Sequence, residues 1–273
     1  MTLGEALTAA RRSIDRLDAR LLLQYATGCS HADLLARPET PVLASAYAQF
    51  AAWVERRAAG EPLAYLVGES EFRSRIFQVM PAVLIPRPET ELLIDLAVDR
   101  LKGLKTPRIV DLGTGSGIVA ISLALECPDA EVVAVDLSEA AISIARNNAG
   151  RLGARVEFRQ GDWFAPLAGE RFDLIVSNPP YVAEGDPHLV LNGLPFEPRM
   201  ALTDGIEGGN GLACIREIVA GAPAFLKPGG GLMFEHGYDQ GEASRNLLVA
   251  AGFKAAFTHP DLAGIDRVSG AHL

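Results

Sequence analysis

Apolar residues recur at spacings of three and four through the first part of the chain. Residues spaced in this way share one face of a helix, so the pattern predicts an amphipathic helix packed on a core. The positions are Leu3, Leu7, Ala10, Ile14, Leu17 and Leu21, and the spacing returns at Tyr47, Phe50 and Val54. Pro38, Pro41 and the turn-forming run at 27–31 divide the stretch into short helices. We predict a small all-helical domain over residues 1–70.

The pattern changes between residues 71 and 90. Apolar and polar residues alternate there over short distances, which indicates short strands. Residues 85–91 read Ile-Pro-Arg-Pro-Glu-Thr-Glu, a stiff loop that leads into a helix near Pro88. We interpret residues 71–90 as a linker with a short β-hairpin, which joins the helical domain to a second domain over residues 91–273.

The second domain alternates strand-like and helix-like segments. The strand-like runs lie at 109–112, 132–136, 156–159, 173–177, 232–235, 253–259 and 266–271. Such alternation predicts a parallel sheet with helices on both faces. Little helical sequence separates the last two runs, so we expect the final strand to be antiparallel. The predicted fold is α/β, with a seven-stranded doubly wound sheet preceded in the chain by a small all-helical domain.

Composition and charge narrow the class of protein. The chain has 273 residues, of which 49% are hydrophobic and 22% are charged. These values are ordinary for globular proteins and exclude a disordered, collagen-like or coiled-coil chain. The net charge of -9 disfavours stable nucleic-acid binding, because affinity for a polyanion comes mainly from cationic side chains.

Cysteine usage and the apolar runs bear on compartment and metal content. Cys29, Cys127 and Cys214 are far apart, which indicates neither a disulfide framework nor a zinc site. The first residues lack a basic leader segment, and no apolar run approaches the roughly 18 residues of a membrane span. We expect a cytoplasmic protein without a metal and without membrane contact.

A glycine-rich turn follows the first strand of the sheet. It consists of Gly113, Thr114, Gly115, Ser116 and Gly117. Glycines allow a ligand to approach the backbone at the carboxyl ends of parallel strands. Asp136 ends the next strand and is suited to accept two hydrogen bonds from a ribose diol. Together these residues predict a nucleoside site, whereas the alternatives are tight helix packing for the glycines and a helix cap for Asp136.

The spacing of the glycines argues against a dinucleotide. The dinucleotide fingerprint requires glycine where this chain has Ile118. The pattern resembles motif I of the seven-stranded methyltransferases instead, which implies S-adenosylmethionine as a methyl donor. After the third strand, Trp163 is a candidate to stack on the adenine and Asp162 to accept from its amine. The alternative for Trp163 is a plug at the edge of the core.

The run Asn178, Pro179, Pro180 and Tyr181 follows the fourth strand. Two prolines end the hydrogen-bond ladder and make a rigid corner. The Asn178 side-chain oxygen and the Pro179 carbonyl can each accept one N–H of an NH₂ group, which would aim its nitrogen at a methyl donor. Tyr181 can stack on a planar acceptor. The run therefore predicts methyl transfer to an amide or amine nitrogen, and the alternative is an ordinary proline turn.

With these motifs the sequence resembles the HemK/PrmC family of N5-glutamine methyltransferases. Further family-like stretches lie at 84–91, 196–198, 226–230 and 235–237. The resemblance implies a Rossmann-like class I methyltransferase domain behind a helical domain that helps engage the protein substrate. It implies that class I peptide chain release factors are methylated at the glutamine of a Gly-Gly-Gln motif, with S-adenosylhomocysteine as product. It assigns residues 113–117, Asp136, Trp163 and Asn178 to the donor, and Asn178 to Tyr181 to the glutamine.

Alternatives remain for function and for individual residues. The same proline corner could orient a flipped base for N-methylation, the glutamine could belong to a ribosomal protein, or the chain could be a nucleoside-binding module without catalysis. Arg87 and Glu91 have no assigned role. Glu197 is either half of a buried ion pair, with Arg199 as a nearby partner, or a substrate contact. Residues 204–211 form either a lid or a loop leading into a helix, and His236 is predicted to be a hydrogen-bonded core histidine.

Overall fold

The computed structural model describes residues Met1–Leu191 and Gly193–Leu273. Their contacts divide the chain into two compact units. The first comprises Met1–Glu69 and Val190–Phe196, and the second comprises Ser70–Leu189 and Glu197–Leu273. We call them the helical unit and the sheet unit. Within the described residues, no helix combines the length and the apolar character needed to cross a bilayer.

The helical unit is a cluster of short helices around an apolar core. Its helices are α1 (Leu3–Ala10), α2 (Arg16–Thr27), α3 (His31–Ala36), α4 (Ala44–Ala58) and α5 (Leu63–Val67). Leu22, Leu23 and Phe50 are almost fully buried in the core.

The amphipathic helix predicted from Leu3 to Leu21 is interrupted. Helix α1 ends at Ala10, and Asp15 caps α2 by accepting a hydrogen bond from the Leu17 amide at 2.7 Å. The cap starts a new helix in a new register. Leu17 is consequently half-exposed, and Leu22 and Leu23 turn inward in its place.

The sheet unit contains the predicted seven-stranded sheet. A hairpin of β1 (Glu69–Phe72) and β2 (Arg75–Gln78) precedes it. The sheet strands are β3 (Arg108–Leu112), β4 (Glu131–Asp136), β5 (Glu157–Gln160), β6 (Phe172–Ser177), β7 (Leu226–Glu235), β8 (Lys254–Pro260) and β9 (Asp266–His272). Their order is β5-β4-β3-β6-β7-β9-β8. Strand β9 is antiparallel to both neighbours, which confirms the expectation for the final strand.

Helices cover both faces of this sheet. They are α6 (Thr90–Leu101), α7 (Ile118–Glu126), α8 (Glu139–Leu152), α9 (Ala213–Gly221) and α10 (Gly241–Ala250). Successive residues of β3 point to opposite faces, so Ile109 joins the core under α6, α7 and α8, and Val110 joins the core under α9 and α10. The strand order reverses at β3, and the crevice at such a point is where doubly wound sheets bind ligands.

Candidate active site

The glycine-rich turn lies between β3 and α7. Gly113, Gly115 and Gly117 have φ values of 73°, 55° and 85°, a region that other residues rarely adopt. At Gly117 a side chain would also collide, because a Cβ would stand 2.8 Å from the Ile121 methyl and 3.1 Å from Ala145. Glycine is required here for both backbone conformation and packing of α7 against α8.

Asp136 holds this turn from the end of β4. Its Oδ2 accepts a hydrogen bond from the Gly115 amide at 2.8 Å, and its Oδ1 accepts one from the Ser138 amide at 2.9 Å. Burial raises the pKa of Asp136, and the backbone amides oppose that shift. Each carboxylate oxygen retains a lone pair for a further donor, such as a ligand hydroxyl.

Asp111, at the penultimate position of β3, is a second buried carboxyl that the sequence motifs did not single out. Its Oδ2 accepts hydrogen bonds from the Thr114 hydroxyl at 2.7 Å and the Ala120 amide at 3.2 Å. Among the described residues, none donates to its Oδ1. Burial raises the pKa of Asp111 to about 7. A buried acceptor without a protein partner is unusual, because such groups are usually hydrogen-bonded.

Trp163 follows β5 in a strained backbone conformation. Its φ is 36°, in the left-handed region that a bulky residue rarely adopts. The indole lies so close to Gly113 that a Cβ on that glycine would stand 3.4 Å from its Cζ3. Trp163 also packs against the core under α9 and α10 and faces a cavity on its other side. Its surroundings therefore fit both a stacking surface for a ligand and a plug at the edge of the core.

A cavity of about 590 Å³ joins these side chains. The predicted site residues on its wall are Gly113, Thr114, Gly115, Ser116, Asp136, Asp162, Trp163, Asn178 and Pro180. Gly117, Pro179 and Tyr181 do not line it. Arg199, Thr203 and Asp204 also contribute to the wall, although none of them was among the predicted site residues, and Asp111 adds its carboxyl. The cavity offers carboxylate acceptors, a flat indole and the backbone of the glycine-rich turn, which suits a ligand with hydroxyl donors, an amine and a planar ring.

Asn178 and Tyr181 are joined through two residues that sequence reasoning missed. The Asn178 Nδ2 donates to the Thr90 hydroxyl at 3.1 Å, and that hydroxyl donates to Glu235 Oε2 at 2.7 Å. The Tyr181 hydroxyl donates to Glu235 Oε1 at 2.9 Å. Thr90 and Glu235 are at most 1% exposed. A charged residue closing an apolar strand was the available signal for Glu235.

The segment 204–211 packs against the backbone of Tyr181, and Gln240 links the two. Gln240 donates from one Nε2 to the Tyr181 carbonyl at 2.9 Å and to the Asn210 carbonyl at 3.0 Å. A methyl group on Gly211 would overlap the Tyr181 carbonyl oxygen. Asp204 caps α9 by accepting from the Ala213 amide at 3.1 Å. The segment therefore leads into a helix and supports the proline corner.

Glu197 forms an ion pair, with a different partner from the one suggested by proximity in sequence. Arg87 Nη2 lies 2.5 Å from Glu197 Oε1, and the Ile85 amide donates to Oε2 at 3.0 Å. Arg199 instead pairs with Glu184 at 2.7 Å. The side chain of Glu197 is 2% exposed, so this pair anchors the loop before α6.

Two other residues have structural partners. Glu91 accepts a hydrogen bond from the Arg73 amide at 3.3 Å, within the turn of the hairpin. His236 is fully buried, with Nδ1 2.8 Å from the Gly237 carbonyl and Nε2 2.9 Å from the Ser269 hydroxyl. Burial lowers the pKa of His236. The prediction of a hydrogen-bonded core histidine is confirmed.

Two family models match this chain. Residues 3–68 match the PrmC N-terminal domain, and residues 89–193 match the methyltransferase small domain. A release factor glutamine methyltransferase of Bordetella pertussis is 51% identical over 261 residues, which cover 95% of this chain and 96% of the relative. The chain belongs to the release factor glutamine methyltransferase family. A family member from Burkholderia pseudomallei is 50% identical over 279 residues, covering 100% of this chain and 96% of the relative.

This member of the release factor glutamine methyltransferase family resembles several solved structures in fold. The T. thermophilus 16S rRNA N2 G1207 methyltransferase, solved with AdoMet and guanosine, has a TM-score of 0.56 at 23% identity over 75% of this chain and 49% of that chain. A methyltransferase from Pyrococcus furiosus has a TM-score of 0.53 at 18% identity over 72% of this chain and 87% of that chain. The predicted Rossmann-like class I methyltransferase fold is confirmed.

Proposed function

We propose that this chain transfers a methyl group from S-adenosylmethionine to the side-chain amide nitrogen of the glutamine in the Gly-Gly-Gln motif of class I peptide chain release factors. S-adenosylhomocysteine is the second product. The family to which the chain belongs supports this proposal. The observation that carries it is the Asn178 carboxamide, which lines the same cavity as Asp136 and has its NH₂ end turned away to Thr90.

The residues around the cavity suit the donor. S-adenosylmethionine supplies an electrophilic methyl group on a sulfonium sulfur when it is bound. We assign its ribose hydroxyls to the spare lone pairs of Asp136 and its adenine to the indole of Trp163, with Asp162 as acceptor for the ring amine. Asp111 also lies on the cavity wall, and we assign its carboxyl to the ammonium group of the donor. We assign residues 113–117 to the donor as well: residues 113–116 line the cavity, and Gly117 lies outside its wall and lets α7 pack against α8.

The proline corner suits the acceptor. We assign the two N–H groups of the glutamine carboxamide to Asn178 Oδ1 and the Pro179 carbonyl, and its plane to Tyr181. Asn178 lines the cavity, whereas Pro179 and Tyr181 lie outside its wall. An amide nitrogen is a weak nucleophile, so fixing its position supplies much of the rate enhancement. Asn178 is neutral and removes no proton, and after transfer the nitrogen loses its proton to solvent. We propose that the predicted helical domain, residues 1–70, helps to bind the release factor.

The experiment is methylation of purified release factors with labelled donor, followed by peptide mass measurement. We expect one added methyl on the glutamine of the Gly-Gly-Gln motif. Label in ribosomal RNA, DNA or a ribosomal protein, with none in a release factor, would instead support one of the alternative acceptors. The absence of label in all of them would contradict the proposed reaction.

Two variants test the assigned roles. Asn178→Ala should lower the turnover rate by about 100-fold or more, because the oxygen that orients the acceptor is lost. Asn147→Ala, the same change on the exposed face of α8, is the matched control. Asp136→Ala should weaken donor binding measured by calorimetry, whereas Asp129→Ala at an exposed position should leave it unchanged. Wild-type turnover by Asn178→Ala, or wild-type donor affinity for Asp136→Ala, would remove that residue from the site.

A further inference from the structure

A chain of hydrogen bonds with a single direction runs from Asn178 to Glu235. Asn178 Nδ2 donates to Thr90 Oγ1 at 3.1 Å, and Thr90 Oγ1 donates to Glu235 Oε2 at 2.7 Å. Thr90 is the first residue of α6 and Glu235 is the last residue of β7, so regular structure holds both ends. Thr90 does not line the cavity. Neither residue has a role in the proposed methyl transfer.

The direction of this chain follows from the chemistry of its members. A carboxylate can only accept hydrogen bonds, whereas a threonine hydroxyl has one proton to donate. Because Thr90 donates its hydroxyl hydrogen in a hydrogen bond to Glu235, the hydroxyl oxygen can only accept from Asn178. Asn178 must therefore present its NH₂ group to Thr90. A reversed carboxamide would bring Oδ1 against the Thr90 oxygen with no proton between them. The negative charge of Glu235 thereby determines which end of Asn178 faces the cavity.

The two hydroxyl groups that donate to Glu235, from Thr90 and Tyr181, suit the ionised carboxyl that this scheme needs. Burial has the largest effect and raises the pKa of Glu235 above its usual value, and its hydrogen bonds to Thr90 and Tyr181 and the charge of Arg267 oppose that rise. Glu89 acts in the opposite direction from the loop before α6.

We infer that Glu235, acting through Thr90, is a positioning residue that holds the Asn178 carboxamide with its oxygen toward the methyl acceptor. The inference rests on the proposed function, because the acceptor nitrogen is assumed to donate to that oxygen. The same carboxylate accepts from the Tyr181 hydroxyl at 2.9 Å. One buried group thus orients both ends of the Asn178–Tyr181 run, and neither Thr90 nor Glu235 touches substrate.

The test uses full-length chain and a release factor acceptor in steady-state kinetics. Thr90→Val keeps the shape of threonine and removes its hydroxyl, so kcat should fall about 100-fold with little change in KM. Thr90→Ser restores the hydroxyl and should recover most of the loss. The donor dissociation constant from calorimetry should stay close to the wild-type value in both variants, because Thr90 lies outside the cavity wall.

A double-mutant cycle separates positioning from general destabilisation. Glu235→Gln is isosteric and can offer Thr90 a donor as well as an acceptor. If both residues act through one chain, Thr90→Val/Glu235→Gln should be no slower than the slower single variant. Ser269→Ala removes another fully buried hydroxyl of the same sheet, hydrogen-bonded to His236, and is the control for stability loss. It should lower Tm while leaving kcat unchanged.

A direct observation completes the test without turnover. The side-chain NH₂ of Asn178, assigned by NMR with Asn178→Asp, should be protected from exchange in the wild-type chain and in Thr90→Ser, and unprotected in Thr90→Val. Wild-type kcat for Thr90→Val, additive losses in the cycle, or unprotected NH₂ in the wild-type chain would each overturn the inference. A wild-type chain that methylates no release factor would overturn the proposed function instead, even if the NH₂ is protected.

Discussion

Asp111 provides a quantitative prediction about stability. Its carboxyl is buried, has an oxygen without a donor among the described residues, and has a pKa raised by burial from 3.8 to about 7. The folded chain therefore binds this proton more tightly than the unfolded chain does. The stabilisation from the protonated carboxyl is complete below pH 3.8 and is lost as the pH rises through about 7.

The magnitude follows from the two pKa values. Each pKa unit corresponds to about 1.4 kcal/mol, so the full difference amounts to about 4 kcal/mol. Between about pH 5 and about pH 8, the free energy of unfolding should lose about 2–3 kcal/mol from this group alone. Asp111→Asn is neutral at every pH, and its side-chain oxygen can still accept from Thr114 and Ala120. The variant should therefore lack this loss.

The assay is urea unfolding of the wild-type chain and Asp111→Asn, without donor, at several pH values in that range. Pairing the two chains at each pH cancels the other titrating groups and the pH-independent cost of the new amide. The stability of the variant relative to wild type should rise with pH by about 2–3 kcal/mol. A difference that stays constant across the range would falsify the raised pKa of Asp111 and the role assigned to its burial.

Two substitutions away from the donor carboxylates test the supports of the site. Gly211→Ala should lower the free energy of unfolding in urea by at least about 2 kcal/mol. The alanine would have to adopt a left-handed φ of 70°, and its methyl group would overlap the Tyr181 carbonyl. Gly208→Ala has the same φ with open space around it, so equal losses for the two would rule out the overlap. Arg87→Ala should cost about 2 kcal/mol by stranding the buried Glu197 carboxylate, less than for a fully buried pair because the Arg87 side chain is 32% exposed. Adding Glu197→Gln should recover part of that loss, and no recovery would contradict the ion-pair account.

Much of the sheet could be predicted from the sequence because its strands are apolar runs between helical patterns. The candidate residues at the ends of β3, β4 and β6 were predictable for a related reason. In a parallel sheet the carboxyl ends of neighbouring strands meet at one edge, so Gly113, Asp136 and Asn178 had to approach each other. Their functional roles remain predictions.

Residues that depend on distant partners were not predictable in the same way. Thr90 and Glu235 are 145 positions apart, and no local pattern connects them. Proximity in sequence suggested Arg199 for Glu197, whereas the chain brings Arg87 from 110 positions away. The break at Asp15 was also missed, because helical periodicity continued through a residue whose side chain caps a new helix.

The position of β9 in the sheet has a consequence for the order of folding. It lies between β7 and β8, both of which precede it in the chain. During synthesis, β7 therefore keeps an open edge until Asp266–His272 has emerged, and an open edge invites pairing with other chains. The short connection from Pro260 to Asp266 makes the pairing of β8 with β9 local in sequence, whereas the pairing of β7 with β9 spans a longer stretch of chain. Glu235, which pairs with Val268 in β9, therefore lacks this neighbour until nearly the whole chain has been synthesised.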